Sequence, residues 1–198
     1  LFDSESFLYD IGPDGALQTG TLSAYAGMYH LRVNGTNYVG DICCLSPNGR
    51  EVRREVFVEP GSGLEVRRHL YVSKTQNFAR FSEILLNPTD TDITVDVEIY
   101  GKLGSGNQTI VIAEQKNFLI TDDIVAGNSG PIPVLLHYHS QPNSPITTTQ
   151  TLSGNQLSWV YTNVTISAQT QVRLIYFIAQ TVDEEMASEV ATQIFSNL

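Results

Sequence analysis

Between residues 93 and 99 every second position is apolar: Ile93, Val95, Val97 and Ile99 fall on one face, Thr94, Asp96 and Glu98 on the other. A period of two marks a strand with one wet side, as in antiparallel sheets. Two further strand-like segments, 64–72 and 78–86, lead into it, and the turn formers Asn87-Pro88-Thr89-Asp90-Thr91-Asp92 come between the second and the third. Further strands are predicted at 6–10, 29–33, 52–58, 109–114, 118–121, 134–139, 157–166 and 171–178. Asn48-Gly49 predicts a hairpin between 42–45 and 52–58. In the 157–166 segment the alternation makes Val160, Thr162, Val164 and Ile166 the core face, with Trp159 and Tyr161 as an aromatic patch opposite.

Clusters of Gly, Pro, Asn and Asp recur about every ten residues, the pattern of an all-β sandwich or barrel. The end of the chain changes period. Met186, Val190 and Ile194 form one stripe with Ala187 and Ala191 beside it, and acidic residues precede them. That spacing predicts a short C-terminal amphipathic helix packed on the sandwich. With no repeat or linker in its 198 residues, the chain reads as a single domain, 1–198: an antiparallel β-sandwich of supersandwich-like character.

The formal net charge is −10. Such a surface repels phosphate backbones and anionic bilayers, so nucleic acid is not an expected partner. No apolar run approaches the roughly 20 residues a spanning helix needs, so membrane insertion is not expected either. The chain begins at Leu1 rather than Met and reads as a piece of something longer, with neighbouring domains as partners.

Chemistry-bearing motifs are sparse. There is no nucleophile elbow, zinc-protease helix, phosphate loop or dinucleotide fingerprint, so the expected role is noncatalytic. Cys43 and Cys44 are adjacent, too close for ordinary disulfide geometry, and read as two thiols at a strand edge. His137 and His139 share one side of a strand and read as polar-face histidines. The oxygen-rich candidates are Asp10 with Asp14, in a Gly-containing loop, and Asp122 with Asp123, taken to follow a strand. Calcium favours such loop carboxylates, so these four are the metal-ligand candidates and Ca²⁺ the candidate cofactor. Ligand binding is expected in the loops, with Asp122, Asp123, Asn128 and Tyr138 as the candidate contacts.

The segments 78–90 and 95–105 resemble a β-sandwich module of large secreted or surface-attached bacterial exoproteins, including repeats-in-toxin adhesins. Residues 24–36, 118–123 and 175–180 with the trailing helix are similar to the same module, so the resemblance spans nearly the whole chain. It implies an extracellular or cell-surface location and a peptide or glycan ligand, bound with calcium in some such modules. Relatives of that module carry an acid where this chain has Ala26, so that loop offers no carboxylate here. The Arg-strand-Asn-Pro pattern is also similar to the supersandwich folds that accompany carbohydrate-active enzymes. The leading expectation is therefore an adhesin-type ligand-binding module. A structural spacer of a long exoprotein and an accessory β-sandwich of a carbohydrate-active enzyme are the alternatives.

Overall fold

The structure, a computed structural model, describes residues 1–40, 42–125, 128–141 and 143–196, without the side chains of Ile42, Cys43, Val125, Asn128 and Ser129. In chain order the strands are β1 (Tyr9–Ile11), β2 (Leu17–Gly20), β3 (His30–Val33), β4 (Thr36–Asn37), β5 (Ile42–Leu45), β6 (Glu51–Arg54), β7 (Phe57–Val58), β8 (Glu65–Val72) and β9 (Ala79–Leu86). They continue as β10 (Ile93–Lys102), β11 (Thr109–Gln115), β12 (Phe118–Val125), β13 (Asn128–Ser129), β14 (Val134–Tyr138), β15 (Thr147–Ser153), β16 (Gln156–Ile166) and β17 (Gln171–Thr181), and α1 (Glu184–Ser196) closes the chain.

Two antiparallel sheets stack face to face. The small sheet runs β15-β16-β10-β3-β4; the large one runs β11-β12-β14-β17-β9-β8-β6-β5, with β13 beside β12 and β7 beside β8. β1 and β2 form a separate ribbon. The alternation at 93–99 is realised as expected: Val95, Val97 and Ile99 are buried between the sheets, with Ile93 packed at the margin. The main core includes Leu70, Phe81, Leu85, Trp159, Tyr176 and Ile178.

β8 and β9 pair directly, but β10 leaves them for the opposite sheet. Asn87 holds that crossover. Its Nδ2 donates to the carbonyls of Thr91 (2.8 Å) and Ile166 (2.9 Å), and its Oδ1 accepts from the Thr89 N–H (2.9 Å) and hydroxyl (2.8 Å). The hairpin at Asn48-Gly49 is also as expected, Gly49 supplying the positive φ of +68° that the turn needs.

β16 corrects the expected register. Trp159 and Tyr161 point into the core, and so do Val164 and Ile166. A β-bulge makes both true: the pairing with β10 shifts between Val95↔Val164 and Val97↔Tyr161, and Asn163 there has φ +54°. The extra residue reverses the inward phase, so Val160 lies on the other face. The predicted 52–58 strand likewise splits into β6 and β7.

Asp183 caps α1 from the position before it, its Oδ1 accepting the Met186 N–H at 2.8 Å, while Glu184 and Glu185 sit in the first turn. Its stripe of Ala187, Val190, Ala191 and Ile194 packs on Ile120, Val134, Leu136, Tyr138, Phe177 and Ala179, the outer face of the large sheet. Asp183→Ala is expected to cost about 1 kcal/mol. The helical signal should lose stability while the midpoint of the sandwich moves by only about 2–4 °C, checked by hydrogen exchange on α1 alongside a thermal melt.

Candidate functional site

Paired residues of an antiparallel ladder share a face, so the registers lay out the outer surface of the large sheet row by row. One row crosses six strands: Phe118, Tyr138, Phe177, Arg80, Tyr71 and Glu51. The Phe118 and Tyr138 rings are nearly parallel at 6.3 Å, and Phe177 meets Tyr138 edge-on at 6.4 Å. α1 covers this aromatic half, and the half from Arg80 to Glu51 is open. A second row there is Arg53, His69, Ser82 and Ile175; a third is Arg67, Ile84 and Arg173.

Glu51 organises the open half. Its Oε1 lies 2.7 Å from Arg53 Nε and 3.7 Å from His69 Nδ1, and its Oε2 lies 3.8 Å from Arg80 Nη2. Arg80 also lies over the Tyr71 ring, 5.3 Å from its centroid. Burial lowers the His69 pKa; Glu51 opposes that, and Arg53, Arg173 and Arg67 lower it further. Three guanidinium fields therefore converge on this imidazole.

Where the helix edge meets β9 and β17, a cleft of about 420 Å³ opens. Phe78, Phe177, Val190 and Ile194 supply its apolar surface, and Gln76, Asn77, Arg80 and Gln193 its polar groups. Asn77 is almost completely buried, and its Oδ1 has no hydrogen-bond partner; its Nδ2 reaches only Met186 Sδ, at 3.8 Å. Arg80 Nε is likewise buried without a partner. Orphaned buried polar atoms are costly, and here an unused acceptor and an unused donor belong to two residues that line one cleft.

The interior is polar in places. Arg68 and Glu83 are fully buried. Arg68 Nε lies 2.9 and 3.2 Å from the two Glu83 oxygens, Arg68 Nη2 donates to Tyr176 Oη at 2.8 Å, and that hydroxyl donates to Glu83 Oε1 at 2.9 Å. Gly15, at φ +79°, lets its loop pass over the Arg68 side chain, where a Cβ would stand 2.9 Å from Cδ.

His137 and His139 overturn the expectation of a polar face: both are buried between the sheets. Both nitrogens of His137 are engaged, Nδ1 2.8 Å from Tyr29 Oη and Nε2 3.1 Å from Thr121 Oγ1. Burial, with His139 adding to it, lowers the His137 pKa to about 3, and burial lowers that of His139 to about 4.

The residues expected to bind a ligand or calcium are scattered. Asp122 and Asp123 are not in a loop: both are buried within β12, where consecutive side chains point to opposite faces. Asp123 Oδ1 has no partner, and burial, with Asp122 adding to it, raises the Asp123 pKa. Tyr138 is not on a loop either; it sits in β14 under α1. Asn128 falls in β13, with its side chain outside the described residues. Asp10 accepts from Thr19 Oγ1 at 3.1 Å, and Asp14 is bound to His30 Nδ1 at 2.5 Å. Burial pushes the Asp14 carboxyl up, but the His30 bond and the Ala16 N–H outweigh it and hold it at about 2. Among the described residues no three His, Cys, Asp or Glu side chains converge on one point. Cys44 is exposed on β5, and the Cys43 side chain lies outside the described residues.

Asn77 and Arg80 were not candidates from sequence. The signal available was the polar phase of β8, Arg67-His69-Tyr71, but only the registers bring it beside Arg53, Arg80 and Arg173.

No family model matches the chain, and no curated protein matches it. Solved structures do. A polysaccharide lyase is similar over 94% of this chain and 34% of its own, with TM-score 0.59 and 10% identity. A heparinase III is similar over 83% and 25%, with TM-score 0.51 and 9% identity. A putative aldose 1-epimerase from Klebsiella pneumoniae is similar over 93% and 70%, with TM-score 0.50 and 9% identity. The chain thus spans a third of that polysaccharide lyase and a quarter of that heparinase, and at these identities the likeness is one of fold.

Proposed function

We propose that the chain is a noncatalytic, glycan-binding β-sandwich that serves as an accessory module of a larger carbohydrate-active protein. The observation that carries this reading is the cleft beside α1, where phenylalanine side chains, planar amides and an arginine share one opening. Apolar surface with a few placed polar groups is how small-ligand sites are built. A sugar ring offers the matching partner, C–H faces for Phe78 and Phe177 and hydroxyls for the amide and guanidinium groups that line the cleft. The likeness in fold to a polysaccharide lyase and a heparinase supports the same reading, as does the share of those longer chains it spans. As the resemblance to exoprotein modules implies, the parent protein is proposed to be extracellular or attached to the cell surface, with neighbouring domains flanking this one.

The purified domain, titrated against a panel of oligosaccharides by calorimetry, is expected to bind at least one class. Asn77→Ala should weaken that binding about tenfold, the loss of one or two hydrogen bonds, while the melting temperature stays within about 3 °C. Silence across the panel would favour the structural spacer instead.

A further inference from the structure

We propose that the open half of the large sheet's outer face binds an acidic polysaccharide, its carboxylates or sulfates held by the arginine rows beside the cleft; this rests on the glycan reading above.

In a chain of net charge −10 this face runs against the whole. Arg53, Arg67, Arg80 and Arg173 stand on it against the carboxylates of Glu51 and Glu65. Arg67 meets Glu65 only at 3.6 Å, in a half-exposed pair worth little, and Arg173 is exposed. Arg67 and Arg173 flank Ile84 on neighbouring strands, which sets their backbones roughly 10 Å apart with the next cationic row roughly 7 Å along. Strands hold these positions rigidly, and guanidinium forks match carboxylate and sulfate geometry. A chain carrying anions at intervals is the complement of such a grid, and Arg80, which lines both the cleft and the open rows, joins the two. A folded acidic protein is the poorer fit, because the cores of protein interfaces are depleted of charge, whereas this face is charged at its centre.

Affinity electrophoresis of the domain through gels containing polygalacturonate, dextran sulfate, neutral dextran or poly-glutamate tests the proposal and separates uronate from sulfate. Retardation by at least one acidic polysaccharide is expected, fading at high salt. It should weaken at least about tenfold in Arg67→Ala/Arg173→Ala. Both side chains are exposed, so the variant should melt with the parent. Retardation by neutral dextran alone, untouched by the double variant, would overturn the acidic-ligand inference and leave the glycan reading standing. Equal retardation by poly-glutamate would overturn it in favour of an acidic protein. No retardation by any polysaccharide would overturn both.

Discussion

Arg68→Met is expected to destabilise the domain by about 3–5 kcal/mol, because it strands the Glu83 carboxylate in the core with only Tyr176 as a partner. Set against the roughly 5–15 kcal/mol that holds a typical domain together, that is enough to unfold a marginal one. The double variant Arg68→Met/Glu83→Leu removes both charges and should recover most of the loss, since a well-packed apolar pair often equals or exceeds a buried ion pair. Chemical denaturation of the wild type, both single variants and the double variant closes the cycle. Additive losses would mean that the two groups do not interact across β8 and β9.

The second large effect is acid sensitivity. His137 and His139 are held neutral in the fold, with pKa values near 3 and 4, whereas in an unfolded chain both titrate near 6.5. Between those values the unfolded state binds more protons, so stability is intact above about pH 6.5 and falls as the pH drops towards 4. Two such groups amount to a loss on the order of 5 kcal/mol by pH 4.5. Asp14, held down at about 2, adds its own loss only below its ordinary range near pH 4. Urea midpoints measured between pH 7 and 4.5 should fall with a slope approaching two protons, and His139→Leu should reduce it by about one. A flat profile down to pH 5 would mean that the imidazoles are solvated.

What the sequence disclosed follows from which forces are local. The Ile93–Ile99 alternation, the Asn48-Gly49 turn and the Met186–Ile194 stripe are written in neighbouring residues, and each is realised. β15 gives no sequence signal because Thr147-Thr148-Thr149-Gln150-Thr151 has no apolar phase; it is an edge strand with one face exposed and the other half-buried. The phase of β16 is not legible locally because the bulge at Asn163 answers to its pairing with β10, where the Asn163 N–H donates to Asp96 Oδ1 at 2.8 Å. Asp122 and Asp123 read as a loop because paired carboxylates are rare in strands, yet β12 carries both. The cleft was illegible for a different reason. Asn77 and Gln193 are more than a hundred residues apart, and the face joins β6, β8, β9 and β17 through pairings that no local pattern announces.

Recognition on a sheet face rather than in loops is tested most directly by ¹⁵N chemical-shift mapping during titration with an acidic oligosaccharide. The predicted result is a contiguous set of shifts at Asn77, Phe78, Arg80, Arg67, Arg173 and the exposed edge of α1, with little change at 103–108 and 128–133. Shifts confined to those two segments would contradict it.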